Sequence, residues 1–131
     1  MRCRSGGTRK GTPMESASLI TTEDADDLIV SFAILLDELG DVKSLTLLRT
    51  PKYEFILDES ERGVKVLSDD FPNEENELLK QVATEGDVVR VTSHYRTYTV
   101  SIKDVEAVEV QEAKKILKKM NFDKRFRLKI S

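Results

Sequence analysis

The segment Val88–Ile102 strongly constrains what the chain can fold into. It is rich in β-branched residues and far longer than an ordinary strand of ~5–6 residues, so we expect it to fold back on itself. A turn at Ser93–Arg96 places Val91 opposite Tyr98 and leaves one face apolar and the other polar. The apolar face then consists of Val89, Val91, Tyr98, Val100 and Ile102. This division predicts a half-buried antiparallel hairpin.

Four further strands are predicted from short apolar runs. Three follow one another in the middle of the chain, over Lys43–Arg49, Tyr53–Leu57 and Val64–Leu67, with Pro51 and a polar turn segment between them. The fourth is Arg125–Ile130, in which apolar and basic residues alternate. Alternation of that kind indicates a strand with one buried face.

Three helices are predicted from apolar residues that recur with the period of an α-helix. The first begins at one of the two threonines at positions 21–22 and ends at Gly40. Its core face would consist of Leu28, Ile29, Phe32, Leu35, Leu36 and Leu39. The second, shorter helix covers Glu74–Val82, and the third covers Val110–Met120. Residues 104–109 fit either the third helix or an extension of the preceding strand.

This order of elements predicts one α+β domain over residues 14–131. A mostly antiparallel sheet of five to six strands would have about three helices packed against it. Residues 1–13 lack apolar periodicity, and we expect them to form a disordered basic tail, with Met14 as an alternative natural start. No apolar run approaches the ~20 residues that cross a bilayer, and no secretory signal is evident. We therefore expect a cytoplasmic protein that does not contact membranes.

Cysteine and histidine are too scarce for several kinds of site. The one cysteine, Cys3, cannot form an internal disulfide, and with the one histidine, His94, it does not make a zinc cluster. The clustered acidic residues lack the alternation and the glycine of a calcium loop. The short signatures of nucleotide-binding loops, metalloproteases and serine hydrolases are missing as well. We expect no metal and no cofactor, although an enzyme whose residues are scattered along the chain stays open.

Charge is distributed unevenly along the chain. The net charge of −3 divides into +4 for residues 1–13, −14 for residues 14–112 and +7 for residues 113–131. The basic side chains that could follow a nucleic-acid backbone, or bind another anion, are Lys114, Lys115, Lys118, Lys119, Arg125 and Arg127. Two structural roles explain the same residues, because lysines late in a helix complement its dipole and charges on an edge strand prevent unwanted strand pairing.

The tip of the predicted hairpin is a second candidate site. An acid–base group, a phenol and guanidinium groups occur together there, in Arg90, His94, Tyr95 and Arg96. Such a group suits an anionic ligand or a small enzyme. A solvated turn is the plainer interpretation, because a catalytic His94 needs an orienting carboxylate and a nucleophile that the sequence does not place beside it.

Val30 and Ile34 are a candidate contact for self-association. They fall one turn apart on the outer arc of the predicted first helix, among acidic and polar residues, where they are either a dimer contact or two surface apolar side chains. Our leading hypothesis is a non-catalytic binding or adaptor protein that forms a homodimer through this pair or through an exposed sheet edge. A protein that binds RNA or DNA and a small anion-ligand binder or enzyme at the hairpin are the alternatives.

Overall fold

The computed structural model describes residues 14–35, 41–71 and 77–130. Within these ranges the chain forms eight strands, one α-helix and two short 3-10 helices. The strands are β1 (Glu15–Asp24), β2 (Leu28–Leu35), β3 (Val42–Arg49), β4 (Lys65–Ser68), β5 (Leu79–Glu85), β6 (Val88–Ser93), β7 (Thr97–Ser101) and β8 (Arg127–Lys129). The helices are α1 (Ala107–Met120) and the 3-10 helices Pro51–Ile56 and Glu59–Glu61. The predicted tail over residues 1–13 lies outside the described residues.

All eight strands belong to one mixed sheet, in the order β4-β3-β2-β1-β7-β6-β5-β8. Neighbouring strands are antiparallel, except that β1 is parallel to β7 and β5 is parallel to β8. An antiparallel bridge between Lys65 and Leu78 joins β4 to the segment that leads into β5. Backbone hydrogen bonds of 2.8 Å on either side of this bridge connect residues 64–66 with residues 77–79. The sheet therefore closes on itself, and β8 continues the edge of β5 beyond the point of closure.

The helix α1 packs beside the part of β1 that β7 leaves unpaired. The two strands pair only at Glu15 and Ser16 of β1. Further along, the backbone N–H of Ile20 donates a hydrogen bond of 3.0 Å to Glu109 Oε1 on α1, which satisfies a strand donor that has no strand partner. The helix buries Ala113, Ile116, Leu117 and Met120 in the same core as the strands. The third predicted helix is confirmed, and it begins at Ala107.

The predicted hairpin is confirmed in its register. Strands β6 and β7 pair Val91 with Tyr98 and Val89 with Val100. The five residues of the predicted apolar face are all buried, namely Val89, Val91, Tyr98, Val100 and Ile102. The strands predicted over Lys43–Arg49, Val64–Leu67 and Arg125–Ile130 are also present, as β3, β4 and the shorter β8.

The first predicted helix is wrong. Its described residues form the end of β1, a turn and β2, while residues 36–40 lie outside the described part of the chain. Residues four apart share a face in a strand as well as in a helix, so the pair Leu28 and Phe32 fits both. Every second residue of β2 from Leu28 to Ile34 is buried, which is the pattern of a strand and not of a helix. Val30 and Ile34 are consequently 0% and 2% exposed in the chain's own core, not on the surface of a helix.

Two further predicted elements are wrong. The segment around Leu79, placed at the end of a second helix, forms β5 instead, and residues 72–76 lie outside the described ranges. The predicted strand Tyr53–Leu57 belongs to the 3-10 helix Pro51–Ile56, in which proline occupies the first turn. Proline favours such a position because its fixed φ suits the start of a helix and its missing N–H needs no partner there.

These differences overturn the predicted α+β class. The described residues form a mostly β structure, with an eight-stranded mixed sheet and one helix of seven or more residues. Five to six antiparallel strands with three helices were expected. The physical reason is that the dense apolar residues of the first segment fit the helical period as well as the strand period, so periodicity within one segment does not reveal that β1 pairs with β2 and β5 with β6. In the described part of the chain, no helix has the length and apolar character needed to cross a membrane.

Candidate functional site

The guanidinium of Arg49, at the end of β3, is a fully buried charge with five hydrogen bonds. Its Nε and Nη2 donate to the two carboxylate oxygens of Glu54, at 2.7 and 2.8 Å. Its Nη1 and Nη2 donate to the two oxygens of Asp123, at 2.8 and 2.9 Å, and Nη1 also donates to the carbonyl of Met120 at 2.8 Å. Every N–H of the guanidinium is therefore used, which offsets the several kcal/mol that burial of a charge costs.

This cluster joins three parts of the chain that are distant in sequence. Arg49 belongs to β3, Glu54 to the 3-10 helix Pro51–Ile56, and Asp123 to the turn after α1. The hydrogen bonds from Arg49 hold the pKa of Asp123 well below its usual range, and partial burial opposes this effect only in part. The cluster is a structural anchor, because its ionic groups are saturated by one another.

An apolar patch lies over this anchor. In a six-residue 3-10 helix with Glu54 drawn inward to Arg49, the side chains on either side of Glu54 turn outward. Tyr53, Phe55 and Ile56 are 51%, 75% and 70% exposed, and Phe122 beyond α1 is 58% exposed. The Phe122 ring centroid lies 4.2 Å from Cζ of Arg49, so the same guanidinium connects both parts. We call these four side chains the apolar patch.

Sequence reasoning missed the patch and its anchor. The sequence predicts a half-buried strand over Tyr53–Leu57, with Tyr53, Phe55 and Leu57 on one face. In such a strand Tyr53 and Phe55 would be buried. Arg49 was read as the last residue of a strand, and its partner Asp123 lies far along the chain. The one local signal was Pro51, which favours a helical start over a strand continuation.

A second buried ionic cluster lies below the tip of the β6–β7 hairpin. Glu77 is buried and accepts hydrogen bonds from Ser93 Oγ at 2.7 Å, Tyr98 OH at 2.8 Å and Arg96 Nη1 at 2.9 Å. The guanidinium of Arg96 also lies 3.7 Å from the centroid of the Phe71 ring. Burial raises the pKa of Tyr98 to about 12, with Glu77 adding to the effect and Arg96 opposing it.

This cluster changes the interpretation of the predicted hairpin-tip site. Arg96 is held by Glu77, so its charge is partnered within the protein. The rings of His94 and Tyr95 are exposed and lie 4.0 Å apart, and His94 Nδ1 accepts a hydrogen bond of 3.3 Å from the backbone of Leu78. Arg90 forms an exposed ion pair of 3.2 Å with Glu85 on β5, away from the tip. Ligand binding by these residues stays a prediction: His94, Tyr95 and Arg96 adjoin one another, with Cζ of Arg96 5.7 Å from the Tyr95 ring centroid, whereas Arg90 lies apart.

The six predicted basic residues do not form one surface in the structure. Lys114, Lys115 and Lys118 on the outer face of α1 line a groove of about 500 Å³, which the end of the chain borders at Ile130. The other lining residues are Gln111 and Glu112. The structure thus brings three of the six predicted basic residues together in one concave place.

The remaining three basic residues lie elsewhere. Lys119 Nζ donates to Asp24 Oδ2 on β1 at 2.6 Å. Arg125 donates to Asp123 at 2.7 Å and to the carbonyl of Glu59 at 3.1 Å, so it supports the Arg49 anchor. Arg127 is exposed on β8 and lies outside the groove lining. Two of these side chains therefore have structural partners.

Neither a metal centre nor a known relative identifies the site. Within residues 14–35, 41–71 and 77–130, no group of three or more histidine, cysteine, aspartate or glutamate side chains could hold a metal ion. No protein-family model matches the chain, and no curated protein or solved structure matches it significantly. Function must be argued from the apolar patch and the basic groove.

Proposed function

We propose that the protein is a non-catalytic binding domain that self-associates through the apolar patch. Four large apolar side chains, each more than half exposed, lie on the two segments that the buried Arg49 joins: three on the 3-10 helix of Glu54, and Phe122 over the guanidinium itself. Scattered surface apolar residues are normal, but grouped aromatic residues of this kind are typical of interaction sites. This grouping is the observation that carries the proposal.

The patch is held in a fixed shape before any partner arrives. Arg49 connects the 3-10 helix to the end of α1 through two bidentate ion pairs, with Glu54 and with Asp123. Aromatic side chains on a rigid support lose little conformational entropy when they are buried by a partner. All N–H groups of Arg49 donate hydrogen bonds within the protein, so none is left to contact a substrate. This supports a binding role over a catalytic one.

The border of the patch favours a second copy of the chain as the partner. The 3-10 helix Glu59–Glu61 lies on one side and is acidic, and the turn at Lys124 and Arg125 lies beside it and is basic. A two-fold interface must be complementary to itself, since the same surface is present on both subunits. A border with both signs of charge, in which Arg125 is already ion-paired with Glu59, meets this requirement because two copies can face each other without a large like-charge repulsion.

Sedimentation velocity over a concentration series tests this proposal with the variant Phe55→Asp. We expect the wild-type chain to shift from monomer to dimer with rising concentration, and the variant to remain monomeric, because a charge buried at an apolar interface is strongly unfavourable. The matched control is Val108→Asp, since Val108 is 68% exposed but lies at the start of α1. A wild-type chain that stays monomeric, or a Phe55→Asp variant that still dimerises, contradicts the proposal.

A further inference from the structure

A small cavity opens beside the apolar patch, where the chain passes from β3 into the 3-10 helix Pro51–Ile56. Its volume is about 160 Å³. Two buried charges belong to its lining, Arg49 and Glu54, and they are joined to each other by hydrogen bonds of 2.7 and 2.8 Å. The apolar residues of the lining are Leu48, Tyr53, Ile56 and Leu57. An apolar group can therefore enter the cavity without separating these two buried charges from their partners.

The 3-10 helix carries one aromatic ring that does not line this cavity. Such a helix has three residues per turn, so Tyr53 and Ile56 lie on the same side of it, and both line the cavity. Phe55 lies roughly 120° away around the helix axis and is not part of the lining. At 75% it has the largest exposed fraction among the large apolar residues of the described chain. The helix thus presents a cavity and a projecting ring side by side.

The cavity has the size of one phenyl ring. An apolar cavity of about 150 Å³ in a protein is large enough to bind benzene, which has the dimensions of a phenylalanine ring. Phe55 cannot enter the cavity of its own chain while the 3-10 helix is intact, because it lies on another side of that helix. The same ring on a second copy of the chain is not restricted in this way.

We propose that Phe55 of each subunit inserts into the cavity of the other subunit. This inference rests on the proposed self-association and names its central contact. A two-fold interface contains every contact twice, so both projecting rings and both cavities are filled at once. An unrelated partner would need only the ring or only the cavity, whereas a surface that carries both is complementary to itself. Aromatic rings buried in pockets of the partner are the contacts that dominate binding at interfaces.

Complementation between two variants, measured by sedimentation velocity, tests this inference. Phe55→Ala removes the ring, and Leu48→Trp fills the cavity from the wall formed by β3. We expect each variant alone to dimerise at least about tenfold more weakly than the wild type, because loss of a buried aromatic contact has an effect of that size. An equimolar mixture should dimerise more tightly than either variant alone. In the mixed dimer the ring of one subunit still meets the open cavity of the other.

The matched control is Leu35→Trp, which adds the same side chain at a 45% exposed leucine. Leu35 lies outside the cavity lining, at the other end of β2 from the residue that pairs with Arg49, so this variant should dimerise like the wild type. Leu57→Trp fills the cavity from another wall and takes the place of Leu48→Trp if circular dichroism shows that Leu48→Trp does not fold.

Two results would overturn the inference and leave self-association intact. One is a folded, cavity-filled variant that dimerises like the wild type while Phe55→Asp is monomeric. The other is a mixture that dimerises no more tightly than its two separate variants. A wild-type chain that stays monomeric would overturn the proposed function and this inference together.

Discussion

Arg49 is the residue on which both the packing of α1 against β3 and the exposure of the apolar patch depend. Its guanidinium is excluded from solvent, and two carboxylates and a carbonyl satisfy it completely. The inward pull on Glu54 exposes the neighbouring apolar side chains. A single buried charge thereby stabilises the junction of β3 and α1 and also produces the surface that we assign to self-association.

Replacement of Arg49 by methionine should destabilise the protein by about 3 kcal/mol or more, because Glu54 loses its partner in a buried site. Urea unfolding of the wild type and the variant measures this loss. Arg90→Met is the matched control, and it should cost at most about 1 kcal/mol, because the ion pair of Arg90 with Glu85 is exposed. Equal losses in the two variants would mean that the anchor is not energetically important.

The same cluster predicts a loss of stability in acid. The folded-state pKa of Asp123 lies well below its unfolded value of about 4, owing first to the hydrogen bonds from Arg49. Its contribution to stability is therefore present above pH ~4 and is lost as the pH falls through the folded-state pKa. The free energy of unfolding, measured between about pH 6 and 3, should fall more steeply for the wild type than for Asp123→Asn. Parallel curves for the two proteins would contradict this assignment.

At the scale of elements, the sequence was informative where the alternation within one segment fits a strand and not a helix. The β6–β7 hairpin was predicted with its register because a short turn joins its two strands, so one alternating segment contains both partners. β2 was mistaken for a helix because its apolar residues are dense enough to fit both periods. Its pairing with β1 and β3, which a single segment does not reveal, decides the outcome.

The candidate sites differ in whether a local sequence pattern reveals them. The lysines of the groove were predicted, since their helical spacing is local and α1 is amphipathic. The apolar patch was not, because it depends on the contact of Arg49 with Asp123, from the other end of the chain. Val30 and Ile34, which were expected on a surface, are core residues because the strand places them on its buried face.

Alanine variants at Ile34 and Leu35 separate the strand from the helix directly. The strand buries Ile34 and leaves Leu35 45% exposed, whereas the predicted helix had the opposite arrangement. Ile34→Ala should therefore cost about 2–4 kcal/mol of unfolding free energy, and Leu35→Ala less than about 1 kcal/mol. Thermal or urea unfolding of both variants checks the order. A larger loss at Leu35 would contradict the assignment of β2.

At the scale of the whole molecule, closure of the sheet limits how two copies of the chain can associate. The bridge between Lys65 and Leu78 pairs the edge of β4, and β8 covers part of the edge of β5. The outer edge of β8 is only three residues long and carries the exposed charges of Arg127 and Lys129, which makes pairing of sheet edges a poor route to association. Among the described residues, the apolar patch is the surface to which we assign self-association.

The most direct test of self-association through the apolar patch is light scattering at low and high salt, on the wild type and on Phe55→Asp. Apolar contacts are not screened by salt, so the wild-type dimer should persist at high ionic strength, whereas ion pairs between exposed charges should weaken. We expect a salt-resistant wild-type dimer and a monomeric variant. A dimer that dissociates in salt, or one that Phe55→Asp leaves intact, would contradict the central claim.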